Sequence, residues 1–223
     1  MTSQAIQESA VLSLPTRGRV LTHAMWLYDL LQPFIMLGRG WRLNREIAAA
    51  LAPREGERIL DVGCGTGLLT ASVARRIRRG EIVGIDASAP MIRIARRKRQ
   101  GAHCRYQLAV AEDLPFGDAT FDGVVSELFF HHVPIEVKRQ SAREIVRVLR
   151  PGGRVAIADI DSPWNTFGRL YATGAWKLFR QPEIKENIDG HLAPVLREAG
   201  LEGLAPSYGT LGCIRVWTGR KPE

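Results

Sequence analysis

The chain has 223 residues, 45% of them hydrophobic and 24% charged, which suffices to close one sizeable core in a single soluble domain. Three cysteines, Cys64, Cys104 and Cys213, lie far apart with no C-x-x-C pair and no partnering histidine spacing, which argues against a zinc site or a disulfide framework. The net charge of +8 comes largely from two clusters, Arg75, Arg76, Arg78, Arg79 and Arg93, Arg96, Arg97, Lys98, Arg99, opposed in that window only by Glu81 and Asp86.

Residues 1–16 show no periodicity and are expected to form a flexible arm. Met1–Leu14 has no basic region followed by an apolar one, so no secretory signal is read there. A helical pattern carries Val20, Leu21, Met25, Leu27, Tyr28 and Leu31 and stops near Pro33. The apolar window Ala24–Leu37 is interrupted by Asp29, Gln32 and Pro33 and is too short to span a bilayer. A cytoplasmic protein is expected. Trp41–Leu51 is a second helix, so a helical unit over 17–55 precedes the first strand.

The apolar run from Arg58 to Val62 reads as a buried strand, followed by Gly63-Cys64-Gly65-Thr66-Gly67 and a helix carrying Leu68, Leu69, Val73 and Ile77. Strand, glycine loop and helix together present free backbone N–H groups to a ligand. The spacing G-x-G-x-G places Leu68 where a dinucleotide fingerprint needs its third glycine, and no Gly-Lys-Ser/Thr of a phosphate-binding loop follows. A second strand, Glu81–Asp86, ends in an acid about 20 residues on, where such folds hold ribose hydroxyls. Glycine loop and Asp86 together describe an adenosine site.

Ser88 is placed as the cap of a helix through Lys98 with Met91, Ile94 and Ala95 on one face. His103–Val110 is a third strand and Phe121–Glu127 a fourth. Ile135–Leu149 is an amphipathic helix with Arg139, Arg143 and Arg147 outside, and Arg154–Ile160 is a fifth strand. Strands at Leu201–Pro206 and Thr210–Thr218, joined by Ser207-Tyr208-Gly209, are expected to pair antiparallel because the link is too short for a parallel crossover. The fold class is α/β, a doubly wound, mostly parallel sheet.

Leu60-Asp61-Val62-Gly63-Cys64-Gly65-Thr66-Gly67 resembles motif I of the class I S-adenosylmethionine-dependent methyltransferases, and Val83-Gly84-Ile85-Asp86 resembles their acidic second motif. Phe121-Asp122-Gly123-Val124-Val125-Ser126 and the Pro151-Gly152-Gly153 element are similar to later family motifs. Specific likeness covers 57–160. The flanks are similar in tone to small-molecule methyltransferases of ubiquinone and menaquinone biosynthesis.

The resemblance implies a seven-stranded Rossmann-like sheet, with 17–55 as a lid, 57–160 as the cofactor core, 161–199 as an acceptor-side insertion and helix, and 200–223 as the last strands. It implies S-adenosylmethionine as cofactor, no metal, and a small or lipid-like methyl acceptor. Cofactor contacts are expected from Asp61, Gly63, Cys64, Gly65, Thr66, Gly67, Asp86, Ala87, Met91, Val110, Ala111, Glu112 and Ser126. Val110 stands where the family usually has Asp, so a side-chain contact to the adenine amino group is lost there, with Glu112 or Asp113 as replacements. Tyr28, His131 and His132 are candidates for removing a proton from an acidic acceptor.

Two further readings stay open: a nucleic-acid methyltransferase, which the positive charge would suit, and a catalytically silent cofactor-binding module. The two basic clusters, Arg75–Arg79 and Arg96–Arg99, read either as solvated helix ends or as a patch for anionic membrane or nucleic acid.

Overall fold

The structure, a computed structural model, describes residues 13–18 and 34–223. The expected helix over 17–31, with Tyr28, lies outside the described residues from position 19 onward. Five strands, β1 (Arg58–Val62), β2 (Glu81–Asp86), β3 (Cys104–Leu108), β4 (Phe121–Glu127) and β5 (Leu149–Ile160), run parallel. A hairpin of β6 (Glu202–Thr210) and β7 (Ile214–Arg220) completes one seven-stranded sheet in the order β3-β2-β1-β4-β5-β7-β6. Of the seven strands, β7 alone runs against the direction of the rest.

The central strands are apolar on both faces because both faces are covered. From β1, Ile59 enters a core with α1 (Gly40–Leu51), α2 (Leu68–Ala74) and α3 (Ala89–Arg99), while Leu60 and Val62 enter a second core with α4 (Ile135–Val148) and α7 (Leu192–Glu198). Ile59, Leu60 and Val62 are all 0% exposed, and such side chains each contribute roughly 1.5–3 kcal/mol on burial. The first core continues onto α5 (Thr166–Phe179) and α6 (Pro182–Ile188) through Ala172 and Ile184. No helix among the described residues is long and apolar enough to cross a membrane.

Several elements depart from the sequence reading. The α2 helix stops at Ala74, and i→i+3 bonds from Arg76 and Ile77 tighten the chain so that Ile77 still turns inward; Arg75, Arg76, Arg78 and Arg79 therefore follow the helix instead of closing it. Ser88 occupies the N-cap of α3 without a side-chain capping bond, and it is Ile92 that joins Met91 and Ala95 inside. On α4, Arg147 does not simply face water: it donates to the carbonyls of Leu114 and Phe116 and to Glu144 and Asp118, pinning the loop after β3. Lys138 is fully buried, its Nζ 2.6 Å from Glu186 and 3.0 Å from the Glu183 carbonyl, which ties α4 to α6.

The hairpin turn is at Leu211-Gly212-Cys213 and not at Ser207-Tyr208-Gly209. Leu211 and Gly212 both have positive φ (54° and 69°), the geometry that matches strand twist in a tight hairpin. Ser207–Gly209 stay in β6, with a register shift between Pro206 and Tyr208, because Tyr208 packs on the first core. The turn is locked from outside: Trp164 N–H donates to Gly212 O at 3.0 Å and Asp161 N–H to Cys213 O at 2.7 Å.

Candidate functional site

The sheet order reverses between β1 and β4, and a crevice opens there at the carboxyl ends of the strands, as doubly wound sheets require. Three neighbouring strands deliver one carboxyl each to it: Asp86 from β2, Asp61 from β1 and Glu127 from β4. Two adjoining pockets share Gly63, Gly65, Glu127 and Leu128 in their walls. One extends past Asp86, Ala87, Met91, Ala111, Glu112 and His132, and the other past Asp61, Cys64 and Thr66. Among the described residues neither is lined by a lysine or arginine.

Asp61 is 1% exposed; Thr70 Oγ1 donates to its Oδ2 at 2.6 Å, and Oδ1 has no partner. Room for that bond comes from Gly84, directly across the ladder, where a β-carbon would sit 3.0 Å from Thr70 Oγ1 and from Cys64. Burial pushes Asp61 up to about 7, the Thr70 bond works against this, and the Asp86 charge adds to it. Glu127 is pushed up to about 8, first by burial and then by Asp61 and Asp159, with a bond to Asn44 opposing; its Oε1 is also without a partner. Asp86 is raised by burial, while the N–H groups of Ser88 (2.8 Å) and Gly65 (3.0 Å) hold it down.

The glycine loop is held from three sides. Gly65 N–H is tied to Asp86, Arg99 donates to the Thr66 carbonyl at 2.8 Å, and the Tyr106 ring lies where a β-carbon on Gly67 would be, 2.7 Å from its hydroxyl. Gly65 has φ +53° and nothing within 4 Å of a β-carbon position, so its missing side chain is space left in the crevice. Beyond β4 the chain turns through Leu128, a non-glycine residue at φ 55°, which carries it from Glu127 into the wall of both pockets.

Of the paired histidines, His132 lines the crevice and His131 does not. His131 Nδ1 meets Asp159 Oδ1 at 2.7 Å, and the His131 and His132 rings lie tilted against each other, 43° between their planes and 4.0 Å between centroids. Asp159 also accepts from the N–H groups of Phe130 and Ile160 and from Asn187. Although burial works to raise it, the His131 ring and then the Ile160 N–H hold Asp159 below the ordinary range.

Gly63, Cys64, Gly65, Thr66, Asp61, Asp86, Ala87, Met91, Ala111 and Glu112 thus come together. Val110, Gly67 and Ser126 are not in either pocket wall: Ala109 lies in the wall beside Val110, Gly67 lies behind the loop, and Ser126 is fully buried with its hydroxyl on the Val62 carbonyl. Glu127 is a lining residue that sequence reading left inside a strand. Its signal was present, an acid closing an apolar strand as Asp86 does. Thr70 and Asp159 carried no local signal, since their roles come from pairing across the sheet. Residues 13–18, expected partly as a flexible arm, cross the mouth: Leu14 N–H donates to Ala87 O at 3.0 Å, Thr16 bonds to Glu112, and Thr16 and Gly18 line the crevice.

Buried carboxyl oxygens without partners on Asp61 and Glu127, three acids with no lysine or arginine beside them among the described lining residues, and a void over Gly65 together fit a ligand that is itself cationic and carries hydroxyls, as S-adenosylmethionine does.

A family described as a methyltransferase domain matches residues 59–153. The chain is 44% identical over 172 residues to the O-methyltransferase cnsE of Penicillium expansum, covering 73% of this chain and 58% of that protein. It is 36% identical over 222 residues to the demethylmenaquinone methyltransferase of Symbiobacterium thermophilum, covering 87% of this chain and 88% of that one. In structure it matches a chain of the Haloferax volcanii complex between the Trm112 methyltransferase activator and a methyltransferase, with a TM-score of 0.70 at 20% identity over 92% of this chain and 100% of that chain. The chain belongs to the class I S-adenosylmethionine-dependent methyltransferases, and S-adenosylmethionine is its cofactor. Within that class it stands near the enzymes of ubiquinone and menaquinone biosynthesis.

Proposed function

We propose that the protein transfers a methyl group to a small, apolar, hydroxylated ring such as a phenol or quinol, in the cytoplasm. The single observation that carries this is the convergence of Asp61, Asp86 and Glu127 on one crevice lined, among the described residues, by no lysine or arginine. When bound, S-adenosylmethionine supplies a methyl group on an electrophilic sulfonium. Asp61 and Glu127 would hold its ammonium, Asp86 its ribose hydroxyls, and the Gly65 backbone would lie against it. Leu128, Phe129 and Val133 supply an apolar wall for the acceptor beside Glu127. His132 is the ring within that wall suited to take a hydroxyl proton, and Asp159 fixes His131, against which the His132 ring packs at a tilt. Two of the relatives, an O-methyltransferase and a demethylmenaquinone methyltransferase, act in keeping with a hydroxylated ring as acceptor. Three unpaired, buried thiols suit a reducing compartment.

The test is incubation with methyl-labelled cofactor and a panel of phenols, quinols and RNA, with products identified by mass spectrometry. Label appearing on a phenolic oxygen or quinol ring carbon is expected. Transfer to RNA alone, or cofactor binding with no transfer to any ring, would overturn the reading.

A further inference from the structure

The carboxyl edge of the sheet carries a face that the methyltransferase site does not use. Phe34, Leu37 and Trp41 lie at and before the start of α1, and Phe167, Leu170 and Leu178 form one stripe on α5. Each of these six is at least 51% exposed, unusual for large apolar side chains. The two segments are joined by the Tyr171 hydroxyl, which donates to the Ile35 carbonyl at 2.5 Å, and within α5 the Phe167 ring stacks on Tyr171 at 6.2 Å.

Charge decides what such a face would meet. The stretches 34–46 and 164–180 contain six exposed cations, Arg39, Arg42, Arg45, Arg169, Lys177 and Arg180, against one acid, Glu46, which pairs with Arg42 at 3.9 Å and Arg45 at 3.3 Å and leaves a net positive face. Arg45 lies over the Trp41 ring at 5.3 Å and Arg215 over the Trp164 ring at 4.5 Å. A second copy of the chain docking here by a two-fold axis would oppose like charges, which costs affinity. Apolar and aromatic side chains rimmed by arginine and lysine instead match an anionic lipid surface, with rings at headgroup depth and cations on phosphates.

We propose that this face docks on the surface of an anionic phospholipid bilayer. It is distinct from the Arg75–Arg79 and Arg96–Arg99 clusters. Those precede the starts of β2 and β3 and so occupy the opposite, amino edge of the sheet. Docking through the carboxyl edge turns the mouth of the crevice toward the lipid, whereas docking through the clusters would turn it away. The inference stands on the exposed face and does not depend on which acceptor is methylated.

The experiment is flotation of the full chain with vesicles of phosphatidylglycerol and phosphatidylcholine in equal amounts, against phosphatidylcholine alone. Binding to the mixed vesicles, weakened by salt, is expected. Arg169→Gln/Lys177→Gln/Arg180→Gln should lower partition about a hundredfold, at about fivefold per cation near the surface. Leu170→Ser/Leu178→Ser should abolish it, whereas Arg75→Gln/Arg78→Gln/Arg79→Gln should retain it. Calorimetric binding of S-adenosylhomocysteine reports that each variant is folded. Absence of vesicle binding by the parent, loss confined to the Arg75 variant, or a dimer in solution that Leu170→Ser/Leu178→Ser dissolves would each overturn the proposal.

Discussion

Asp61 and Glu127 are costly in the empty protein and useful only with a cation beside them. Their raised values, about 7 and about 8, lie above the ordinary 3.8 and 4.5, so between the two sets the native chain holds protons that the unfolded chain has released. In that window ligand-free stability falls as pH rises, by at most about 1.4 kcal/mol per pH unit for each group. The neutral-carboxyl contribution is complete below the ordinary values and gone above the raised ones. A cationic cofactor selects the ionised forms, so its affinity should climb as pH rises through about 7 and about 8 and release protons on binding. Asp61→Asn should flatten the lower part of both profiles and weaken S-adenosylmethionine by about 1–3 kcal/mol, roughly ten- to hundredfold. Titration calorimetry in buffers of different ionisation enthalpy reads both effects, and a pH-independent parent affinity would contradict them.

Among the elements, the most consequential contact is between the start of α5 and the β6–β7 turn. A β-carbon at Gly168 would sit 2.0 Å from the Gly212 carbonyl oxygen, against backbone that the turn holds fixed. Gly168→Ala should therefore destabilise the fold by about 1–3 kcal/mol, visible as a lower Tm, while Gly174→Ala on the same helix meets nothing within 4 Å and should not. That contact also explains what sequence reading missed. The turn at Leu211-Gly212 has one glycine and no asparagine or aspartate to announce it, and Ser207-Tyr208-Gly209 carries the stronger local turn chemistry; packing of Tyr208 and the grip of Trp164 and Asp161 chose between them. By contrast β1, β2 and β4 were legible to the residue, because parallel strands buried on both faces are short apolar runs closed by an acid or glycine. The site divides in the same way. The glycine loop and Asp86 each close a short apolar strand and so announce themselves locally, whereas Thr70, Gly84 and Asp159 carry no local pattern and act only through partners 9, 23 and 28 positions away from them.

Across the whole molecule, the positive charge serves different ends at different places. Arg78 and Arg79 are exposed after α2, but Arg99 braces the Thr66 carbonyl and Arg96 donates to the Tyr106 carbonyl, so the second cluster is partly structural. Arg99→Gln should loosen the glycine loop and weaken S-adenosylhomocysteine about tenfold, the scale of one charge-assisted hydrogen bond. Arg78→Gln/Arg79→Gln should leave it unchanged, and equal losses in both would show the effect to be one of net charge. The segment over the mouth has a kinetic counterpart. Leu14 is latched to Ala87, and Thr16 to Glu112, on two separate walls of the crevice. A product under those latches leaves at the rate they open, so turnover is expected to be set by departure and not by chemistry. Removing residues 1–17 should then shorten the residence time of S-adenosylhomocysteine, read by stopped-flow displacement, more than it weakens its equilibrium affinity, and the burst of first-turnover product seen in quenched flow should disappear when the latches are gone.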